Sequence, residues 1–135
     1  MTTEELIAEF LHLRRYAVVG VSADHKKYGY QIWRDLKRKG YTVYPVNPKY
    51  DQIEGERCYR SLRDVADKVD VVDVVVPPEV TEDIVRQCAE LGLMRVWLQP
   101  GAESEEAVRL CQESGIKVLH GVCVLVESGS TSSPT

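Results

Sequence analysis

Three times along this chain a helical pattern stops at a glycine and an apolar strand pattern begins at once: Gly40-Tyr-Thr-Val-Tyr-Pro-Val46, Gly92-Leu-Met-Arg-Val-Trp-Leu98 and Gly115-Ile-Lys-Val-Leu119. A glycine there ends a helix through a left-handed turn that other residues adopt only with strain. Upstream of each, apolar residues recur at helical spacing: Ile32, Trp33 and Leu36, then Ile84, Val85, Cys88 and Leu91, then Ala107, Val108 and Cys111. Two further apolar runs, Tyr16 to Val19 and Val69 to Val76, read as strands. An opening helix from about Thr3 to Leu13, with Thr2 and Glu5 spaced as a capping box, is expected to pack across the sheet. Helix and strand therefore alternate throughout. Right-handed crossovers then predict a three-layer α/β/α domain around a doubly wound, five-stranded parallel sheet ordered 3-2-1-4-5, with an extra N-terminal helix.

A chain of 135 residues is the size of one ordinary domain. We place that domain at 1–127. The remaining 128–135, Ser-Gly-Ser-Thr-Ser-Ser-Pro-Thr, has nothing to bury and reads as a disordered tail.

In an open parallel sheet a ligand sits beyond the carboxyl ends of the strands, so the residues leaving each strand carry the functional reading. The first strand breaks at Gly20-Val21-Ser22 and passes through a polar, basic loop into a helix starting at Lys27-Tyr28-Gly29. Loop amides and the positive end of that helix then face one crevice, which is a phosphate cradle in outline. A side chain at Gly20 is expected to block a ligand's approach to the backbone with little effect on folding. The second strand exits through Asn47-Pro48-Lys49, the third through Val76-Pro77-Pro78 and the fourth through Gln99-Pro100-Gly101. Prolines at these exits stop the strands and make a stiff apolar rim, of a kind that sandwiches an adenine or a pantetheine arm.

The formal charge is −4, from 17 basic and 21 acidic residues, which argues against a nucleic-acid surface. Between Asp24 and Lys49, however, stand seven basic residues and two acidic ones. The Lys37-Arg38-Lys39 group complements the negative end of its own helix, whereas Lys26, Lys27 and Lys49 lie outside that last turn. The four cysteines are too widely spaced for a zinc ribbon or a C-x-x-C pair, and Cys88 and Cys111 fall on apolar helix faces. A reducing cytoplasm is the expected compartment. The first turn is acidic and no apolar run approaches the roughly 20 residues that span a bilayer, so neither a signal peptide nor a membrane anchor is expected.

A dinucleotide is the obvious guest of such a sheet, but the G-x-G-x-x-G fingerprint is missing, since Ser22 stands where the second glycine belongs. Where an NAD protein places a carboxylate for the ribose hydroxyls, this chain has Asn47-Pro48-Lys49. An amide followed by a cation suits a ribose that itself bears a phosphate. Two ligands qualify: NADP and coenzyme A.

The combination Val19-Gly20-Val21-Ser22, Lys27-Tyr28-Gly29, Gly40-Tyr41-x-Val43-Tyr44-Pro45-Val46-Asn47-Pro48, Gly55-x-x-Cys58-Tyr59-x-Ser61-Leu62, Asp70-x-Val72-Asp73 and Val96-Trp97-Leu98-Gln99-x-Gly101 resembles the small stand-alone CoA-binding protein family. The likeness runs from about residue 14 to 126. The same Rossmann-like module resembles the N-terminal domain of the succinyl-CoA synthetase α subunit and of ADP-forming acyl-CoA synthetases. The resemblance implies coenzyme A or an acyl-CoA as ligand. It puts Gly20, Val21, Ser22, Lys27, Tyr28, Gly29 and Tyr30 around the phosphates, and Asn47, Pro48 and Lys49 near the 3′-phosphoadenosine. It sets Val76, Pro77 and Pro78 on the adenine or pantetheine side, with Gln99 and Gly101 closing the far wall.

These 135 residues do not carry the phosphohistidine domain or the nucleotide grasp of the larger enzymes. The expectation is therefore ligand binding without catalysis, with a separate catalytic subunit as the partner to look for. No nucleophile beside a base can be assembled from the sequence. His12 reads as helix surface, His25 as a loop residue near the phosphates, and His120 as the end of the last strand, followed by Gly121-Val122-Cys123. Asp73 reads as a polar group on the crevice side of the third strand. A small NADP-dependent oxidoreductase or sensor is the alternative. A regulatory module that contacts nucleic acid through the basic third is a further reading, and the net charge weighs against it.

Overall fold

The computed structural model describes residues 1–131. In chain order the elements are α1 (Thr3–His12), β1 (Arg15–Val19), α2 (Tyr28–Arg38), β2 (Thr42–Val46), a small hairpin of β3 (Gln52–Ile53) and β4 (Glu56–Arg57), a 3-10 turn (Leu62–Val65), β5 (Val71–Val74), α3 (Pro78–Leu91), β6 (Arg95–Leu98), α4 (Glu105–Glu113), β7 (Lys117–Leu119) and α5 (Val124–Thr131). The expected elements are all present. The hairpin and α5 are additions.

All five long strands run parallel, in the order β2-β1-β5-β6-β7. Counting only those five, the order is 2-1-3-4-5, which corrects the expected 3-2-1-4-5. The reason lies in Pro45. Its ring nitrogen has no proton, so a strand containing it belongs at a sheet edge with that nitrogen turned outward. On that outer side the Pro45 carbonyl accepts from the Tyr59 amide at 2.9 Å and the Asn47 amide donates to the Tyr59 carbonyl at 2.8 Å. A single parallel bridge between Val46 and Tyr59 thus covers the edge. The third strand, buried at all four residues, takes the interior place beside β1.

Alternate residues of the strands feed two apolar layers, as period-two geometry requires. Ala17, Val19, Val72, Val74, Val96 and Leu98 pack under α3, α4 and the 3-10 turn. Tyr16, Val18, Val71, Trp97 and Leu119 pack with residues of α1, α2 and α5. Trp33 and Trp97 are fully buried there, and truncating a large buried aromatic costs about 3–5 kcal/mol. The α1 capping box is formed, with the Glu5 amide donating to Thr2 Oγ1 at 3.1 Å and the Thr2 amide to Glu5 Oε1 at 2.8 Å. Phe10 brings α1 onto the sheet by an edge contact with Trp97.

Residues 128–131, expected to open the tail, are helical. Helix α5 continues through Ser128, which is buried and accepts a hydrogen bond from Lys39 Nζ at 2.9 Å. The helix opens with Val124, Leu125 and Val126, and Val124 has no exposed surface, so its first turn has a core contact that composition alone does not suggest. Residues 132–135 of that expected tail lie outside the described residues.

Of the left-handed glycines, Gly20 matters most. Its φ is +107°, and a Cβ there would collide with the Val75 carbonyl; a Cβ on Gly29 would collide with the Gly20 carbonyl. The chain itself occupies the space a side chain would need, which corrects the expectation that a side chain at Gly20 has little effect on folding. Gly20→Ala should lower stability by about 3 kcal/mol or more, from left-handed strain plus overpacking. A urea midpoint equal to that of the parent protein would contradict this.

Candidate functional site

At the carboxyl ends of β1 and β5 the chain leaves the sheet toward opposite layers, into α2 from one strand and α3 from the other. A crevice of about 780 Å³ opens between the two exits, where doubly wound sheets characteristically take ligands. Ten of the expected residues line it: Gly20, Ser22, Lys27, Tyr28 and Gly29 from the first exit, Asn47, Pro48 and Lys49 from the second, and Val76 and Pro77 from the third.

The other five stand elsewhere, each for a local reason. Val21 is buried in the layer beneath α2. Tyr30 points away from the crevice, its ring stacked on His25 at 4.2 Å and its hydroxyl donating to Glu54 Oε2 at 2.5 Å. Pro78 is the first residue of α3 and does not reach the lining. Gln99 is fully buried behind Tyr28. Gly101 is exposed, with φ +94°, and its amide donates to Glu103 Oε1 at 2.8 Å.

Charge at the crevice is one-sided. Helix α2 follows the N-cap residue Lys27 with no side chain capping it and no acidic residue in its first turn, so its positive end is uncompensated. Among the described residues Lys27 and Lys49 form no salt bridge, whereas Lys37 pairs with Glu56, Lys39 with Asp35 at 2.6 Å and Lys117 with Glu9 at 2.9 Å. Asp83, on the α3 rim, is already engaged by Arg86 at 3.0 Å. Two unneutralised ammonium groups beside a helix N-terminus favour an anionic guest.

The loops that carry these groups are braced internally. The Asp24 amide donates to Ser22 Oγ and the Lys26 amide to Asp24 Oδ1, both at 3.0 Å. Asn47 donates through Nδ2 to the Val21 carbonyl at 2.8 Å and accepts the Lys49 amide on Oδ1 at 2.9 Å. Its amide therefore latches the first exit to the second and sets the direction in which Lys49 leaves the strand.

Several lining residues escaped the sequence reading. Tyr50 follows Lys49 in the turn that leaves β2, Arg60, Ser61 and Leu62 arrive because the Tyr59 segment pairs with the edge of β2, and Val80, Asp83, Ile84 and Gln87 occupy one face of α3. The i, i+4, i+7 spacing of Val80, Ile84 and Gln87 carries the signal, with Ile84 shared between this face and the core face of the helix. The motif Cys58-Tyr59-x-Ser61-Leu62 was visible, yet nothing local tied it to the second strand.

Behind Tyr28 lies a buried polar chain. Gln99 Nε2 donates to Asp73 Oδ1 at 2.7 Å, while Gln99 Oε1 accepts from the Val124 amide at 3.0 Å and from the Tyr28 hydroxyl at 3.4 Å. The Tyr28 hydroxyl also touches Cys123 Sγ. Asp73 is fully buried rather than facing the crevice, and its second oxygen has no partner. Burial pushes this carboxyl up to about 8 against the opposing effect of the Gln99 hydrogen bond, so it holds a proton at neutral pH. Burial and the Cys123 contact likewise raise the Tyr28 phenol. One amide thus joins β5, the crevice wall and the start of α5.

None of the three histidines lines the crevice; His25 pairs with Glu54 at 2.8 Å. Cys58, Cys88 and Cys111 are buried, the last two with thiols pushed up to about 12 by burial. Among the described residues no cluster of three or more metal-ligating side chains occurs, and no helix is long and apolar enough to cross a membrane.

Residues 14–129 match the family model described as "CoA binding domain". The α subunit of ADP-forming acetate–CoA ligase II of Pyrococcus furiosus is 29% identical over 126 residues, which cover 85% of this chain and 28% of that subunit. This chain therefore spans less than a third of that relative. The uncharacterized protein YneT of Bacillus subtilis is 28% identical, with 87% of each chain covered. Among solved structures, a conserved hypothetical protein from Pyrococcus furiosus superposes with a TM-score of 0.82 at 46% identity, covering 84% of this chain and 98% of that one.

The buried carboxyl makes stability depend on pH. Asp73 keeps its proton in the folded chain until about pH 8, but loses it near the ordinary value of 3.8 when unfolded. The unfolded state therefore binds fewer protons between those limits, and stability attributable to this residue falls by about 1.4 kcal/mol per pH unit as pH rises across that window. Asp73→Asn should remove that slope and make the variant more stable than the parent at pH 8, with little difference at pH 4. Parallel stability curves for the two proteins would contradict the assignment.

Proposed function

Because the chain belongs to the CoA-binding domain family, we propose that the crevice between the β1 and β5 exits holds coenzyme A or an acyl-CoA, without catalysis by this chain alone. The observation that carries the reading is the pair of lysines, Lys27 and Lys49, left without counter-ions beside the uncapped start of α2. In this reading the α2 amides and Lys27 face the pyrophosphate. Lys49, aimed by the Asn47 latch, meets the phosphate on the ribose. Val76, Pro77, Val80, Ile84 and Leu62 offer the apolar wall against which an adenine ring stacks. The Pyrococcus furiosus ligase α subunit named above supports a further proposal, that a separate chain supplies any chemistry performed on the bound thioester.

Calorimetric titration with coenzyme A, dephospho-CoA, NADP and ADP tests the reading. Coenzyme A should bind tightest, and loss of the ribose phosphate should weaken binding by about ten-fold. Lys49→Ala should cost about 1–2 kcal/mol toward coenzyme A and much less toward dephospho-CoA, because the lost contact is charge-assisted. Equal affinity of the parent protein for the two forms would overturn the proposal, and tighter binding of NADP would favour the oxidoreductase or sensor instead.

A further inference from the structure

Arg60 reaches the crevice by an indirect route. The Tyr59 segment is moored to the outer edge of β2 by its two backbone bonds to Pro45 and Asn47, and the Tyr59 ring is held between Tyr44, at 5.9 Å, and the Arg57 guanidinium, at 4.6 Å. The next residue is therefore carried to the crevice wall beside the same strand exit that delivers Lys49. Arg60 does not arrive bare. Its Nε donates to Asp51 Oδ1 at 2.8 Å, and Asp51 is itself tied in place by the Cys58 amide, which donates to the Asp51 carbonyl at 2.8 Å.

A salt bridge this exposed contributes little stability, about 0–1 kcal/mol, so holding the fold together is a weak account of it. Its geometry has another consequence. A guanidinium bonded through Nε still presents the edge formed by its two terminal nitrogens. That planar fork matches two oxygens of a phosphate monoester, whereas a lysine supplies charge without direction. A monoester also carries more charge per phosphorus, about −1.5 to −2 at pH 7, than each bridged phosphate of a pyrophosphate.

We infer that Arg60 is the residue that selects a phosphorylated ribose, and that Asp51 is the positioning residue that turns its fork toward the crevice. This inference rests on the coenzyme A reading and refines it: Lys49 meets the ribose phosphate as a charge without direction, and Arg60 adds the directional fork that fixes where on the ribose the phosphate stands. The ligand chemistry required is a monophosphate on an adenosine ribose, which coenzyme A carries at the 3′ position and NADP at the 2′ position.

Titrating the full chain with 3′,5′-ADP, 2′,5′-ADP and 5′-ADP tests it, with thermal unfolding of each variant recorded in parallel. The parent protein should prefer 3′,5′-ADP over 5′-ADP by about ten-fold or more. Arg60→Gln should shrink that ratio to about three-fold or less, leave 5′-ADP binding unchanged and leave the melting temperature where it was. Arg60→Lys should fail to restore the ratio, and Asp51→Asn should reduce it part of the way. An Arg60→Gln protein that keeps the full ratio, or that weakens all three ligands alike, overturns the inference while leaving the coenzyme A reading intact. A preference for 2′,5′-ADP that Arg60→Gln removes would support the selector role and overturn coenzyme A as the ligand. A parent protein indifferent to the extra phosphate would overturn both.

Discussion

Three pieces of backbone meet at the end of β1 with no side chain between them. Gly20 turns there under the Val75 carbonyl, and Gly29 sits against the Gly20 carbonyl, so α2 starts as close to the sheet as a polypeptide permits. This contact fixes where the positive end of α2 points relative to β5 and its exit. With any Cβ at either glycine the helix would be pushed outward, and its amides would no longer border the same space as Val76 and Pro77. Crevice and fold thus share one steric condition. For that reason the glycine cannot be assigned to the ligand alone: the protein needs it first.

Around that contact the charges follow a simple rule. Many cations are matched locally, as with Lys39 and Asp35, Lys117 and Glu9, and at the crevice Arg60 and Asp51. Lys27 and Lys49 at the crevice form no salt bridge among the described residues, although the whole chain carries a net −4. Leaving Lys27 and Lys49 unmatched sets up an electrostatic preference for an anion at the switch point, and the internal bonds of Asn47, Ser22 and Asp24 keep the loops from closing on themselves. Such preorganisation lowers the ordering that a ligand would otherwise have to impose.

Much of this was legible in the residues. The helix-glycine-strand units are local signals, and each produced its helix and its strand. The four strand exits are also local, which is why ten of the lining residues could be named in advance. What escaped depends on long-range pairing. Whether the third strand joins the first or the second turns on the outward nitrogen of Pro45, a residue that the strand pattern of residues 40–46 contains without showing which side of the strand it faces. Arg60 and Ser61 enter through the pairing of Tyr59 with β2. Gln99, a strand-exit residue like the others, turned inward because Asp73 on the neighbouring strand needed a partner. Pattern arguments do not reach such cross-strand polar contacts. Helix α5 was missed for a related reason: its Ser-rich end looks disordered until Lys39 of α2 is seen to hold Ser128.

In the proposed reading an anionic nucleotide is gripped where α2 begins, opposite the end of β2. Amide spectra of isotope-labelled protein recorded during addition of coenzyme A address it most directly. The account predicts that the largest shifts fall on the amides of residues 20–30 and 47–50 and that the α4 and α1 amides stay still. Shifts concentrated on another face, or no shifts at saturating coenzyme, would contradict it.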